Sequence, residues 1–340
     1  MGANPAALPP HVQLIQMATA HWTTRLAYAA AKLKLADLLA AGPQTAEQLA
    51  GATGAHAPSL YRLLRALAGL GVFSQDDAGR FTLTPVGEAL RTGAPGAARA
   101  TILTLGGDWI SDSWRNLVYS LQTGKSGAEK ALGMPVFDWL AQNPEEVALF
   151  SETMVGVHGE EPVAVAAAYD FSGFGTIVDV GGATGNLLTT ILERHKGPRG
   201  VLFDMPHVVG GAGPIIESRG LTDRVTVASG SFLDSVPEGG DAYLLSHVIH
   251  DWSEPQCLTI LGNVRRAMKP GARLLLIEMV VPPGNDFHMS KLLDIMMLVG
   301  PGGQERTESE YRELLAKAGL RLERVVPTAS PVSVLEAFAQ

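Results

Sequence analysis

Cysteine is almost absent from this sequence: Cys257 stands alone among 340 residues. A lone cysteine cannot form an intramolecular disulfide, which excludes stabilisation of the fold by disulfides. The same scarcity fits a reducing compartment, and we expect a cytoplasmic protein. The sequence around Cys257 lacks the pattern of an activated nucleophile, so we expect this thiol to pack within a helix.

Long apolar runs and a basic excess are absent as well. No stretch of about eighteen apolar residues occurs, and the first residues lack a basic region followed by an apolar one, so neither a membrane span nor a secretory signal is predicted. Acidic side chains outnumber basic ones by 34 to 26, which argues against general nucleic-acid binding. Hydrophobic residues make up 46% of the chain, ample for the cores of the two domains that its length predicts.

The first part of the chain has the pattern of a winged helix. Apolar residues at three- and four-residue spacing predict a helix from His11 to about Ala41. A capping-box pattern, Thr45 with Gln48 three residues later, starts a short helix. A further helix over residues 57–70 and a two-stranded ribbon over residues 71–84 complete the pattern.

A winged helix invites a DNA-binding interpretation. Tyr61, Arg62 and Arg65 on the candidate recognition helix could face phosphates. Residues 1–91 nevertheless carry nearly balanced charge, and phosphate contacts dominate the affinity of proteins for DNA. A DNA-binding regulator is therefore the weaker alternative. We expect the helical N-terminal domain to form a homodimer interface instead, because its apolar helices would otherwise expose large patches.

A strand, a glycine-rich turn and a helix follow one another in the second half of the chain. The β-branched run Ile177–Val180 predicts a buried parallel strand, and small residues then alternate at Gly181, Ala183 and Gly185. The spacing does not fit a dinucleotide fingerprint, which needs glycines at its first, third and sixth positions. It fits acid-x-Gly-x-small-x-Gly beginning at Asp179, which brings backbone N–H groups and a helix N-terminus close to a polar ligand.

Strands and helices alternate through the rest of the chain. Apolar runs predict strands at residues 177–180, 200–203, 225–228, 242–245 and 273–279, with two final strands at 320–326 and 332–338. This alternation predicts an α/β fold with a Rossmann-like, doubly wound parallel sheet that binds ligands at the carboxyl ends of its strands. Asp204 ends the second strand, where its carboxylate can accept hydrogen bonds from both hydroxyls of a ribose. Capping of the next helix is the alternative role for Asp204.

Six segments together resemble the family of S-adenosylmethionine-dependent small-molecule O-methyltransferases, which includes plant caffeic-acid-type and bacterial polyketide and phenazine tailoring enzymes. They are Val178-Asp-Val-Gly-Gly-Ala-Thr-Gly185, Phe203-Asp-Met-Pro-His207, Gly230-Ser-Phe-Leu-Asp-Ser-Val-Pro237, Ser246-His-Val-Ile-His-Asp-Trp252, Ala267-Met-Lys-Pro-Gly-Ala-Arg273 and Gly302-Gly-Gln-Glu-Arg-Thr307. The resemblance implies a class I methyltransferase fold, S-adenosyl-L-methionine as cofactor with S-adenosyl-L-homocysteine as product, and no metal. We divide the chain into a winged-helix dimerisation domain (1–95), a helical connector to the substrate pocket (96–170) and a catalytic domain (171–340).

The resemblance also implies which residues hold the cofactor. They are Gly181 and its turn for the methionine part, Asp204 for the ribose, Ser231, Phe232 and Trp252 around the adenine, and Ser246. Ser231 stands where relatives usually have aspartate, so a neutral hydroxyl would serve the adenine amine. Ser246 stands where plant relatives often have lysine, which puts that contact in doubt.

The resemblance places His250, just beyond the fourth strand, as the general base. A phenol with a pKa near ~10 is ionised to about one part in a thousand at pH 7, a deficit of roughly 4 kcal/mol. Base catalysis by an imidazole is worth about 10²–10⁴-fold, which is of that size. Glu278 and Glu305 match acidic positions that flank the base, and either could orient the imidazole; an ion pair or a cap is the alternative for Glu278. We expect Asp251 to cap the next helix and His247 to pack without metal, because the spacing supplies no third ligand.

The acceptor is predicted to be an aromatic small molecule with a phenolic hydroxyl. Phe150 and Met154 form an i, i+4 pair that either packs in the core or roofs such a substrate. The resemblance to the family implies that Met296, on an amphipathic helix, lines the pocket for the aromatic substrate. A relative that performs a decarboxylation or hydroxylation on a polyketide is the alternative function, and the presence of His250 with both glutamates argues against it.

Overall fold

The computed structural model describes residues 8–96 and 98–340. They form two compact units. One runs to Asp112 and resumes over Phe137–Gly159, and the other comprises Ser113–Val136 and Glu160–Gln340. The predicted domain boundaries at residues 95 and 170 stay predictions. Within the described ranges, no helix combines the length and the apolar character that crossing a bilayer requires.

The first unit opens with helices and a small β-ribbon around an apolar core. Its opening elements are α1 (Pro10–Lys32), α2 (Leu35–Leu39), α3 (Ala46–Thr53), α4 (Ala57–Gly69), β1 (Phe73–Gln75), β2 (Phe81–Leu83) and α5 (Pro85–Glu88). The strands β1 and β2 pair antiparallel, which completes the predicted winged-helix order. Leu49, Leu64 and Phe81 are fully buried between these elements and hold them together.

Two local predictions for this region have different outcomes. The predicted helical stretch His11–Ala41 is confirmed over α1 and α2 but is broken between them, where Lys34 takes a left-handed backbone conformation (φ 52°). Burial of Leu35 in the core outweighs the helical propensity of the sequence at this break. The capping box is confirmed, since Thr45 accepts from the Gln48 N–H while the Gln48 side chain accepts from the Thr45 N–H at 2.8 Å.

A run of helices follows, as the sequence predicts for residues 95–170. The bounds are α6 (Ala98–Leu105), α7 (Asp108–Arg115), α8 (Leu117–Thr123), α9 (Gly127–Leu132), α10 (Val136–Ala141), α11 (Pro144–Val157) and α12 (Glu161–Ala168). In the first unit, α6 and α11 are joined by a buried hydrogen bond of 2.8 Å between the hydroxyls of Thr104 and Thr153. The ring of Trp109 lies 5.9 Å from Trp139 and 6.5 Å from Phe150, so aromatic packing consolidates the same unit.

The second unit is built on a sheet that has seven strands in the described part of the chain. They are β3 (Thr176–Val180), β4 (Arg199–Asp204), β5 (Val225–Ser229), β6 (Ala242–Ser246), β7 (Arg273–Glu278), β8 (Leu320–Pro327) and β9 (Ser333–Ala339). The order is β5-β4-β3-β6-β7-β9-β8. Strands β3 to β7 are parallel, whereas β9 runs antiparallel to both β7 and β8. The short link between β8 and β9 is too brief for a crossover, so this pair is antiparallel.

Helices cover both faces of this sheet. They are α13 (Asn186–Arg194), α14 (Pro206–Val209), α15 (Ala212–Ser218), α16 (Glu254–Ala267), α17 (Met289–Val299) and α18 (Glu308–Lys317). Successive side chains of β3 point to opposite faces of the sheet and pack in two different cores. Ile177 packs in the core beneath α13, and Val178 packs in the core beneath α16. The strand order reverses between β3 and β6, and the carboxyl ends of strands at such a reversal are where open α/β sheets bind their ligands.

Candidate active site

The turn after β3 requires glycine at its first position. Gly181 has a φ of 73°, and a Cβ there would lie 2.8 Å from Val248 Cγ2. Its N–H donates to the Phe203 carbonyl on β4 at 2.8 Å. Gly185, with a φ of 84°, occupies the N-cap position of α13. The backbone thus lies tight against the strand ends and presents a helix N-terminus at the cleft.

The Asp204 carboxylate supports this turn from the end of β4. Its Oδ2 accepts the Ala183 N–H at 2.9 Å, which holds Ala183 in a left-handed conformation (φ 49°). Its Oδ1 accepts the Met205 N–H at 2.7 Å, and burial raises the pKa of Asp204. Met205, not Asp204, is the N-cap residue of α14. Each carboxylate oxygen keeps a second lone pair for a hydroxyl donor, so the ribose contact of the half-buried Asp204 stays a prediction that its geometry allows.

A second carboxylate is buried beneath the turn. Asp179 is 1% exposed, and a Cβ at Gly182 would approach its Oδ2 to 2.5 Å. Burial, and then the charge of Asp204, raises the pKa of Asp179 to about 7. Ionising two neighbouring carboxyls costs more free energy than ionising one, so the more deeply buried Asp179 keeps its proton more readily.

An aromatic pair lies beside the glycine turn. The rings of Phe232 and Trp252 meet edge to face with centroids 5.6 Å apart, and both residues are half-buried. Asn263 Nδ2 donates to the Phe232 carbonyl at 2.8 Å, and Ser231 Oγ accepts the Leu233 N–H at 3.2 Å, so the segment is held in place. Partly exposed ring faces of this kind suit a flat heteroaromatic ligand.

The chain bends sharply after β6. Ser246 ends that strand half-buried, and His247 follows with a φ of 52°. A left-handed non-glycine residue costs about 1–2 kcal/mol and persists where its surroundings hold it. His247 Nε2 lies 2.7 Å from Glu161 Oε2, so the predicted packed histidine is also half of a hydrogen-bonded pair.

Three carboxylates surround His250. The residue is 7% exposed and lies on the 3₁₀ turn Ile249–Asp251 that follows β6. Its Nδ1 is 2.7 Å from Glu305 Oε1 and 3.5 Å from Glu278 Oε2, while its Nε2 is 3.6 Å from Asp251 Oδ1. Of these three carboxylates, Glu305 is the one that lies within hydrogen-bond distance of a ring nitrogen. The structure thus brings the three predicted catalytic side chains together and pairs the imidazole with Glu305.

Glu278 and Glu305 differ in what they hold. Glu278 is fully buried, and its Oε1 accepts the Ile249 N–H at 3.0 Å, so it fixes the backbone of the turn. Burial, followed by the charges of Glu305 and Asp251, raises the pKa of Glu278 well above its usual range. Burial raises the pKa of Glu305 to about 7, against the lowering effect of the His247 and Arg306 charges. Glu278 is therefore the member of the pair that keeps its proton more readily, and Glu305 is the member that ionises as the pH rises through about 7.

The predicted cap at Asp251 is wrong. Ser253 takes the N-cap position of α16, and the Asp251 side chain instead lies beside His250 Nε2. Burial raises the pKa of Asp251 to about 6, with the charge of His250 acting in the opposite sense. The residue is therefore part of the electrostatic surroundings of the imidazole.

The fold brings together a group of potential metal ligands that the spacing in the sequence does not indicate. Glu278 is the third potential ligand that the sequence did not supply, because one ligand atom each of His247, His250 and Glu278 lies within 4.8 Å of the others. The hydrogen bonds of these side chains to Glu161, Glu305 and the Ile249 N–H nevertheless fit proton chemistry directly.

The predicted acceptor residues fall in different units. Met296 is half-buried on α17 in the second unit, whereas Phe150 and Met154 are half-buried on α11 in the first. Their roles as pocket walls stay predictions. Cys257 is fully buried on α16, where its thiol donates to the Ile249 carbonyl at 3.3 Å, and burial raises its pKa to about 11. The predicted packing role of Cys257 is confirmed.

Two family models match the chain. The O-methyltransferase dimerisation domain matches residues 15–93, and the O-methyltransferase domain matches residues 114–321. The chain belongs to the O-methyltransferase family. The class I methyltransferase fold with an N-terminal helical dimerisation domain is thereby confirmed.

Relatives of this chain methylate aromatic natural products. It is 42% identical over 331 residues to phenazine O-methyltransferase PhzM of Lysobacter antibioticus, covering 97% of each chain. It is 33% identical over 317 residues to phenazine-1-carboxylate N-methyltransferase of Pseudomonas aeruginosa, covering 92% of each. A solved O-methyltransferase from neocarzinostatin biosynthesis, in complex with S-adenosylmethionine and 2-hydroxy-5-methyl naphthoic acid, has a TM-score of 0.83 and 34% identity over 94% of this chain and 96% of that one. This chain is accordingly a methyltransferase that uses S-adenosylmethionine.

Proposed function

We propose that this methyltransferase acts on a phenolic hydroxyl of an aromatic small molecule, with His250 as the general base. The 2.7 Å contact between His250 Nδ1 and Glu305 Oε1 carries the proposal. A carboxylate at Nδ1 keeps the ring proton on that nitrogen, so Nε2 is the basic one. The imidazole then takes the hydroxyl proton on Nε2 as the oxygen becomes methylated, and Glu305 stabilises the imidazolium that results.

The residues at the strand ends fit the cofactor. S-adenosylmethionine supplies an electrophilic methyl group on a sulfonium centre. The proposed contacts are the Gly181 turn for the methionine part, Asp204 for the ribose, Phe232 and Trp252 for the adenine faces, and Ser231 and Ser246 as further polar contacts. The close backbone approach at Gly181 and the half-exposed aromatic pair support this assignment.

A labelled-methyl transfer screen tests the proposed function. The acceptors are 1-hydroxyphenazine, 2-hydroxy-5-methylnaphthoate and phenazine-1-carboxylate, with mass spectrometry to locate the transferred methyl group. We expect transfer to oxygen of at least one hydroxylated acceptor. The second candidate function is N-methylation, because one relative is the phenazine-1-carboxylate N-methyltransferase of Pseudomonas aeruginosa. Methylation of nitrogen alone would refute the proposed O-methylation and favour this candidate.

Gly181→Ala should impair cofactor binding. The new Cβ would lie 2.8 Å from Val248 Cγ2, and a φ of 73° disfavours a side chain in any case. We expect calorimetry with S-adenosylhomocysteine to show affinity at least about tenfold weaker, which corresponds to roughly 1.4 kcal/mol. Gly239→Ala is the matched control, because its φ is 85° but its Cβ would meet only Lys269 Cε at 3.7 Å. Equal losses in both variants would show that backbone strain alone was measured.

We also propose that the N-terminal domain forms a homodimer. Leu14, Ile15, Met17 and Trp22 on α1 are 66%, 58%, 71% and 61% exposed, and such apolar surface usually marks an interface. Light scattering after gel filtration should give the mass of a dimer at micromolar concentration. The variant Leu14→Glu/Met17→Glu should move the protein toward the monomer, whereas Val227→Glu, at an exposed position on β5, should not. A wild-type protein that stays monomeric would contradict the proposal.

A further inference from the structure

A buried arginine joins the two segments that carry the catalytic pair. Arg306 is 4% exposed, and its Nη1 donates to the carbonyls of Ile249 at 3.3 Å and Gln304 at 3.0 Å. Ile249 directly precedes His250, and Gln304 directly precedes Glu305. One guanidinium therefore ties together the two backbone segments from which the paired side chains extend.

The backbone around Arg306 is anchored on both sides. The Gln304 N–H donates to the His250 carbonyl at 2.8 Å, and the Val281 N–H donates to the Arg306 carbonyl at 2.9 Å. Val281 lies just beyond β7, whose last residue is Glu278. The loop, the 3₁₀ turn and the end of β7 are thus one hydrogen-bonded assembly around the guanidinium.

Two carbonyl bonds and a 3.8 Å contact between Arg306 Nη2 and Cys257 Sγ do not by themselves account for burying a permanent positive charge. Charged side chains are rarely buried unless opposite charge or hydrogen bonds offset the lost hydration. Here burial raises the pKa of four nearby carboxyls, those of Asp251, Glu278, Asp294 and Glu305. The positive charge of Arg306 opposes that effect on the pKa of Glu305 and of Asp294.

Titratable groups face the His250–Glu305 pair from each element packed around it. They include His247, Asp251, Glu278, Asp294 and Tyr311; Glu161 lies behind His247, and Cys257 lies against the Arg306 guanidinium. Burial raises the pKa of Cys257 to about 11 and that of Tyr311 well above its usual range, so both stay neutral near pH 7. The remaining acids add negative charge, whereas the charges of His247 and Arg306 lower the pKa of Glu305.

We propose that Arg306 is a positioning residue for methyl transfer, which holds Glu305 ionised beside His250 and so sets the pH above which His250 works as a base. The inference rests on the proposed function of His250. Without the guanidinium, the His250–Glu305 pair takes up a proton more readily, because less positive charge opposes it. The competent state, a neutral imidazole beside an ionised Glu305, then requires a higher pH.

The test compares Arg306→Met and Arg306→Gln, which remove the charge, with Arg306→Lys, which keeps it. The readout is kcat against pH for the best acceptor of the hydroxylated panel, together with the NMR titration midpoint of His250 in histidine-labelled protein. Both neutral variants should shift the acidic limb of kcat and the His250 midpoint upward by roughly one pH unit. At pH values below the acidic limb, kcat of the neutral variants should be about tenfold lower than that of wild type. At alkaline pH their kcat should return to the wild-type value. Arg306→Lys should keep the limb near its wild-type position.

The control is Arg312→Met, since Arg312 on α18 also bonds a carbonyl, that of Leu322, and pairs with Glu308 at the surface. The acidic limb of the kcat profile should lie at the same pH in Arg312→Met as in wild type. If both neutral variants lower the plateau of kcat without moving its acidic limb, the role of Arg306 is purely structural and the inference is overturned. The inference is also overturned if Arg306→Lys shifts the acidic limb as far as Arg306→Met does. Arg306→Gln can still donate to the backbone carbonyls, so it tests the charge even if Arg306→Met does not fold. Full activity of His250→Ala would reject the proposed function itself, which the Arg306 series alone cannot do.

Discussion

His250→Ala is expected to slow methyl transfer by about 10²–10⁴-fold while leaving the affinity for S-adenosylhomocysteine within about twofold of wild type. The loss corresponds to roughly 3–5 kcal/mol of transition-state stabilisation, which is the size of the ionisation deficit of an ordinary phenol at neutral pH. Cofactor affinity should survive because His250 is hydrogen-bonded to Glu305 and is not among the residues that we assign to the cofactor.

Acceptor acidity sharpens this test. A phenol that is already ionised at the assay pH needs no base, so the rate ratio between wild type and His250→Ala should shrink as acceptors become more acidic. Single-turnover rates with a series of substituted phenols measure that trend, and calorimetry reports cofactor affinity in parallel. His56→Ala, at an exposed histidine bonded to Ser59, is a control that should match wild type. A ratio that is large but independent of acceptor acidity would remove base catalysis from the role of His250.

Much of the architecture could be predicted because its signals are local. The β-branched run ending at Val180 is buried on both faces, and such strands keep a continuous apolar pattern. Gly181 and Gly185 could be predicted because each takes a positive φ that side chains disfavour. His250, Glu278 and Glu305 follow strand ends or a recognisable loop, and parallel strands bring such ends to one edge.

The unpredicted features depend on contacts between distant residues. Glu161 pairs with His247 across 86 positions, and no spacing rule connects them. The burial of Arg306 depends on how its loop packs on the 3₁₀ turn. From the sequence alone, an arginine at this position is expected to be an ordinary surface charge. Asp251 and Ser253 both precede Glu254-Pro255 and both have side chains that suit an N-cap, and in the structure Ser253 takes that position.

Glu305→Gln and Glu278→Gln are expected to differ widely, although both carboxyls flank the same nitrogen. Glu305→Gln should lower kcat by about 10²–10⁴-fold, because a neutral amide does not stabilise the imidazolium and can turn its NH₂ toward Nδ1, which favours the wrong tautomer. Glu278→Gln should stay within about threefold of wild type. Its carboxyl is the protonated one at neutral pH, and an amide oxygen can still accept the Ile249 N–H.

Stability against pH provides a readout that is independent of activity. Burial raises the pKa of Glu278 in the folded state above its value in the unfolded chain. Between those two values the folded state holds a proton that the unfolded state has lost, so the contribution of Glu278 to stability falls as pH rises. Glutamine has no such proton. The difference in Tm between Glu278→Gln and wild type should therefore move in favour of the variant as pH rises from about 5 to 8.

The two carboxyls can be distinguished because each role predicts a different pair of results. If Glu278 were the ionised orienter, Glu278→Gln would lose as much kcat as Glu305→Gln, and its Tm would not gain on wild type at higher pH. If Glu305 orients the imidazole, its pKa of about 7 also implies that wild-type kcat falls as pH drops through neutrality, because protonation removes the negative charge beside Nδ1. The residual kcat of Glu305→Gln should lack that titration. A Glu305→Gln variant with wild-type kcat and an unchanged pH profile would exclude Glu305 from the mechanism and leave the orientation of His250 to Glu278.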